Sequence, residues 1–136
     1  MVAYIKVFNN LSELLKSLEE DISEVKKYLG ELLRAIEDLR VKAENEKTLS
    51  EFLMKLGVNN VRKQSIVNLK SLRIVINPSA ADELASLESF AEYVSRKLTT
   101  LQNIKKELEL LSGVNIEARI EVIYVDGIPK EIYIKY

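Results

Sequence analysis

The chain has 136 residues, 47% of them hydrophobic and 30% charged, with a formal net charge of −1. That length suits one domain, and the apolar share supplies a core while rising well above that of a disordered chain. It contains no cysteine and no histidine, which excludes disulfides, thiolate nucleophiles and thiolate metal sites and removes the usual neutral-pH acid–base group.

No run of eighteen apolar residues occurs, so no membrane span is expected. The opening stretch MVAYIKVFNN has neither the basic start nor the small-residue cleavage site of a secretory signal. A cytoplasmic protein is the expectation. Charge is unevenly spread along the chain. Residues 52–81 hold five cations (Lys55, Arg62, Lys63, Lys70 and Arg73) and no acid, while the segments on either side are net acidic.

Residues 2–8 read as a strand. Val2, Tyr4, Lys6 and Phe8 alternate with Ala3, Ile5 and Val7, so one face is wholly apolar and the other nearly so. A strand of this kind is expected at the centre of a sheet or under cover. Asn10 ends it and caps a helix, with Glu13 at capping-box spacing.

The helix placed at residues 10–46 has apolar side chains at Leu11, Leu15, Leu18, Ile22, Val25, Leu29, Leu32, Ile36, Leu39 and Ala43. The steps alternate four and three, a heptad pattern. Such a helix is about 50 Å long at 1.5 Å per residue and needs a partner along its stripe. Leu14, Tyr28, Leu33 and Ala35 broaden that stripe beyond a two-stranded seam. Leu15, Leu18, Ile22, Val25, Leu29, Leu32, Ile36 and Leu39 are therefore the candidate helix interface, and ordinary core packing produces the same pattern. Gly30 on the outer face costs about 1 kcal/mol against alanine.

Thr48 and Glu51 have capping-box spacing and predict a short second helix with Phe52, Leu53 and Leu56 on its apolar face, stopped by Gly57. Residues 61–77 then read as β, either two strands turning at Lys70-Ser71 or one long bent strand. Arg62, Lys63, Lys70 and Arg73 are the candidate nucleic-acid contacts here, with Asn59, Asn60, Gln64 and Asn68 among them as hydrogen-bonding groups. No aromatic residue lies in this segment, so base stacking within it is excluded. The plainer reading is that these cations answer acidic residues of the helices, and the slight net acidity of the chain favours it.

Asn77-Pro78-Ser79 breaks the β run, and Ser79 with Asp82 starts a second long helix at residues 79–112, closed by Gly113. Its heptad stripe, Leu84, Leu87, Ala91, Val94, Leu98 and Leu101, slips by three to Ile104, Leu108 and Leu111. Val114, Ile116, Ala118, Ile120, Val122 and Tyr124 then alternate with polar residues in a long amphipathic strand, and Asp126-Gly127 turns it into a hairpin. Matching the faces pairs Tyr124 with Ile128, Ile120 with Ile132, Ala118 with Ile134 and Ile116 with Tyr136. A two-residue loop would mix the faces, so a three-residue loop with a glycine bulge is expected. This register leaves Lys130 on the apolar face and Glu121 opposite Glu131. Pro129 has no N–H and suits an edge strand.

The predicted order is β-α-α-β-β-α-β-β, a single α+β domain over residues 1–136 with two long helices and a small, mostly antiparallel sheet. Two arrangements are open. One is a ferredoxin-like core with the helices overhanging as a coiled coil. The other sets the long helices antiparallel, with the first and last two strands at one end and the basic hairpin at the other.

No chemistry motif accompanies this pattern. The glycines at 30, 57, 113 and 127 stand singly, and a serine nucleophile would have no histidine base. Glu19, Glu20, Asp21 and Glu24 cluster, but Lys26 and Lys27 follow at once and a solvated helix face accounts for them. No catalytic, cofactor or metal site is assigned. The expectation is a non-enzymatic scaffold or assembly module that forms a homo-oligomer or binds a partner helix. The alternative is a nucleic-acid-binding module using residues 61–73.

Overall fold

A computed structural model describes residues 3–58, 64–111 and 117–136. The elements in order are β1 (Ala3–Phe8), α1 (Leu11–Lys55), β2 (Ser65–Asn68), β3 (Arg73–Ile76), α2 (Ala80–Glu109), β4 (Arg119–Val125) and β5 (Ile128–Lys135). The protein is thus of α+β class, with two long helices and antiparallel sheets. No helix among the described residues is long and apolar enough to cross a membrane. The strands divide between two sheets, one of order β1-β4-β5 and one of β2-β3. The single sheet of a ferredoxin-like core is therefore not formed among the described residues.

The chain divides into two compact units. The first comprises Met1–Leu29 and Tyr93–Tyr136, the second Gly30–Glu92. In the first unit, Leu14, Leu18, Ile22, Leu101, Leu108, Ile120, Val122 and Tyr124 form one buried cluster, with Tyr4, Phe8, Leu11 and Ile132 packed against it. The core joins residues of both helices to the inner face of β4, where Ile120, Val122 and Tyr124 are buried, as is Ala118 just before the strand. The second unit has a thinner core, in which Leu32, Ile36, Ala80 and Ala91 are buried. Within it the helices run antiparallel. Arg40 lies 3.9 Å from Glu88, and Glu46 accepts a hydrogen bond from the Ala80 N–H at 3.1 Å.

Local chemistry explains most of the boundaries. The Asn10 side chain accepts a bond from the Glu13 N–H at 2.9 Å, and the Glu13 carboxylate reaches back to the Asn9 N–H at 2.9 Å, one residue before the usual capping-box partner. The expected break before Thr48 does not occur, and a single helix runs on to Lys55. No glycine or proline interrupts the chain there, and the Thr48 hydroxyl donates to the Glu44 carbonyl at 3.0 Å instead of capping a new helix. The helix stops at Gly57, with φ of 76°. Val58 N–H bonds the Leu53 carbonyl and Gly57 N–H the Met54 carbonyl, the two bonds of a Schellman motif. Open space surrounds Gly30, and nothing in the structure explains its choice.

Residues 65–76 form two strands, and the Leu69 N–H bonds the Leu72 carbonyl at 2.7 Å across the Lys70-Ser71 turn. Asn77 then takes φ of 56°, and Ser79 accepts a bond from the Asp82 N–H at 3.2 Å to start α2. The expected stop at Gly113, and Val114 and Ile116 of the expected strand, lie outside the described residues.

The C-terminal hairpin corrects the expected register. Its loop has two residues, Asp126 and Gly127, with φ of 54° and 76°, as a type I′ turn requires. Tyr124 faces Pro129 while Ile123 faces Glu131, so Lys130 is the extra residue of a bulge in β5. That bulge restores the faces the short loop would have mixed. Beyond it Val122 pairs with Ile132 and Ile120 with Ile134, two residues from the expected partners but on the expected face. Glu121 faces Tyr133 instead of Glu131, and it lies 3.2 Å from Arg119 and 3.0 Å from Lys135.

Candidate functional site

The eight candidate interface residues of α1 are all withdrawn from full exposure. Leu18, Ile22, Leu32 and Ile36 are buried, and Leu15, Val25, Leu29 and Leu39 are half-buried. The chain's own side chains cover the seam, most fully at Leu18, which like Leu14 beside the seam has no exposed surface. What stays exposed lies beside and beyond it. Leu33, Val41, Leu49, Phe52 and Met54 of α1 are between 50% and 71% exposed.

The basic segment is only partly in view. Arg62 and Lys63 lie outside the described residues; Lys70 sits exposed in the turn, and Arg73 is exposed on β3 opposite Asn68. Arg73 lines an open groove of about 680 Å³ with Gln64, Ile66 and Val75, and the groove's other side carries Asp82 and Glu83. Two carboxylates therefore share the one groove that holds Arg73, which works against a phosphate there. The start of α2 beside it is already satisfied, because Gln64 accepts from the Ser79 N–H and Glu46 from the Ala80 N–H.

The acidic cluster of α1 is drawn apart by its surroundings. Glu19 lies 3.4 Å from Lys105. Asp21 and Glu24 line a polar cavity of about 200 Å³ with Tyr4, Lys97 and Gly127. Burial raises the Asp21 carboxyl above its ordinary range; Lys6 and Lys97 pull against that, and Glu24 and Glu20 add to it. Tyr4 and Tyr124 stack with centroids 4.9 Å apart, and the Lys6 ammonium lies 5.8 and 5.5 Å from the two rings. The Tyr124 hydroxyl is buried without a hydrogen-bond partner among the described residues. Burial foremost, then the Asp21 charge, push it up to about 12; Ser17 lies near enough to oppose the shift without forming a regular bond. Among the described residues no group of three or more aspartate or glutamate side chains is placed to hold a metal ion.

The surface that sequence reasoning overlooked is apolar. On the β2–β3 hairpin, Val67 faces Ile74 and Ser65 faces Ile76, with Leu69 and Leu72 continuing the same face. Val67, Leu69, Leu72, Ile74 and Ile76 are between 40% and 61% exposed. Its sequence signal is the period-two spacing of Leu72, Ile74 and Ile76, interleaved with the cations of the same segment. A second apolar surface lies on the first unit, where Ile5 and Val7 of β1 stand exposed beside a depression lined by Ala3, Tyr4, Ile5 and Ile123.

A scan against protein-family models and searches of curated proteins and of solved structures find no match to this chain.

Proposed function

We propose that this chain is a non-enzymatic assembly module that associates with further copies of itself, its long heptad-patterned helices serving as the frame that presents the contact surfaces. The observation that carries this reading is the hairpin face of Val67, Leu69, Leu72, Ile74 and Ile76, exposed and without a charged side chain. A two-stranded sheet is marginal in water, and an aliphatic face of this kind gains stability when covered. A copy of the same face is a fitting cover, since it brings no charge to desolvate and an isologous contact uses one patch twice. The α1 seam is a weaker candidate for the contact, because the chain already covers it. Nucleic-acid binding by the basic segment gains no support from Arg73, whose groove it shares with Asp82 and Glu83.

Light scattering at micromolar concentration is expected to give at least twice 15.5 kDa. Ile74→Lys, on the exposed face, is expected to lower that mass while leaving the melting temperature of the dissociated chain unchanged. A monomer at high concentration would refute the reading.

A further inference from the structure

Among the described residues neither edge of the three-stranded sheet has a further strand paired to it, and the two edges are built differently. The β5 edge is blunted. It carries Pro129, which has no N–H to offer, the bulge at Lys130, and the charges of Glu131 and Lys135. These are the usual means of stopping one sheet edge from pairing with another. The β1 edge has no proline and no bulge, and carries a single charge. Ala3–Phe8 is regular, without proline, glycine or bulge, and pairs residue for residue with β4 on its other side. Its outward face is Ala3, Ile5 and Val7, with Ile5 63% and Val7 50% exposed. Its one charged side chain, Lys6, is on the opposite face, over the rings of Tyr4 and Tyr124. An open edge with an uncharged outer face is a template for another strand.

We infer that β1 pairs antiparallel with β1 of a second copy, joining two three-stranded sheets into one of six strands. This rests on the assembly reading and names a surface for it. The occupant follows from the strand's own pattern. A twofold axis perpendicular to the sheet keeps inner faces on one side, and it admits only registers in which some residue faces its own copy. Centring on Lys6 sets two lysines directly opposite each other, their Cβ atoms about 5 Å apart, and like charges so placed are unfavourable. Centring on Tyr4 leaves Lys6, Val7 and Phe8 without partners in Ala3–Phe8. Centring on Ile5 faces Ile5 with Ile5 and Ala3 with Val7, so the outer face meets only apolar side chains. On the inner face the same register sets Lys6 against the partner's Tyr4, the cation–aromatic contact Lys6 already makes within its own chain. The strand is complementary to itself in both polarity and charge.

The chain has no cysteine, so each single-cysteine variant reports one position. Ile5→Cys stands at the axis, its Cβ atoms about 4.5–5.5 Å apart across the pair, and is expected to form a disulfide-linked dimer on mild oxidation. Val7→Cys is also exposed, but its copies stand about 13 Å apart along the strands, four residues at 3.3 Å each, and it is expected not to link to itself. A mixture of Val7→Cys and Ala3→Cys is expected to link. Ile5→Lys, which sets two charges at the axis, is expected to lower the light-scattering mass at least twofold with an unchanged circular dichroism spectrum. If the wild type associates but Ile5→Cys links no better than Val7→Cys, the β1 contact is wrong and assembly must use another face. If the wild type is a monomer at high concentration, the assembly reading falls and this inference with it.

Discussion

Tyr124 holds the least comfortable polar atom among the described residues. Its ring is fully buried in the core, yet its hydroxyl finds no partner there. An unsatisfied buried polar group costs about 1–3 kcal/mol. Tyr124→Phe keeps the ring, its stacking on Tyr4 and the core contacts, so its chemical denaturation midpoint is expected to match or exceed that of the wild type. A loss beyond about 1 kcal/mol would mean that the hydroxyl has a partner, since that is the usual worth of a hydrogen bond. The hydroxyl also carries a pH dependence. Its folded value lies above its ordinary one, so its contribution to stability is whole below pH 10 and is lost as the pH rises from 10 to about 12. Melting temperature is expected to fall over that window, and less steeply in Tyr124→Phe. Gly127 is the other residue with a sharp expectation. Its φ of 76° suits the type I′ turn, and a β-branched residue there is strained by about 1–2 kcal/mol. An added Cβ would also stand 2.8 Å from Lys97 Nζ, although that flexible end can move aside. Gly127→Val is therefore expected to lower the melting temperature, and an unchanged melt would refute the turn geometry.

Elements were legible wherever a short-range signal had no competitor. Asn10 and Glu13 start α1, Ser79 and Asp82 start α2, and Asp126-Gly127 turns the last hairpin, all as their residue types predict, and Gly57 is a helix stop as expected, though of α1 itself and not of a separate short helix. The misreadings came where two local rules conflicted. Thr48 with Glu51 resembles a cap, but a threonine hydroxyl can equally bond the carbonyl four residues back, and the unbroken helix on both sides decides for that. The register of β5 was hidden because Lys130 leaves the ladder, and an extra residue in a bulge cannot be told by periodicity from a longer loop. The apolar face of β1 was legible, but its place at a sheet edge depends on which strands pair, a long-range choice that alternation does not encode. One element contact was not foreseen and can be tested. Glu46, the last residue the sequence reading gives to the first helix, accepts the Ala80 N–H at the start of α2. A carboxylate at a helix N-terminus contributes about 0.3–1 kcal/mol, and up to about 2 when partly buried. Glu46→Ala is expected to lose stability of that order and Glu46→Gln, which keeps an acceptor, a smaller part of it, measured by urea denaturation. Equal stability of all three proteins would remove the cap from the account.

On the scale of the whole molecule, the two units differ in how they are held. The first has a cluster of eight buried side chains drawn from α1, α2 and β4, and β4 lies between two strands. Among its described residues the second has four buried side chains, all aliphatic or alanine, and a two-stranded sheet in which every strand residue is exposed except the half-buried Val75. Local opening requires little free energy where few apolar contacts are lost and backbone bonds face water. Backbone amides of β2 and β3 are therefore expected to exchange with deuterated solvent well before those of β4 when the protein is dilute. The comparison becomes informative about function when it is repeated at high concentration. Association that covers the Val67–Ile74 face adds apolar contacts to the hairpin and stabilises it by mass action, and exchange there should slow as concentration rises. The amides of β4 are already protected by the core, and they are expected to change little. Hydrogen exchange read by mass spectrometry at two concentrations distinguishes the outcomes. Slowing confined to β1 would assign the contact to the first sheet, and slowing at the hairpin would assign one to the second unit. Hairpin amides already as slow as those of β4 in dilute solution would mean that the chain stabilises this hairpin by itself, and the exposed aliphatic face would no longer argue for a partner.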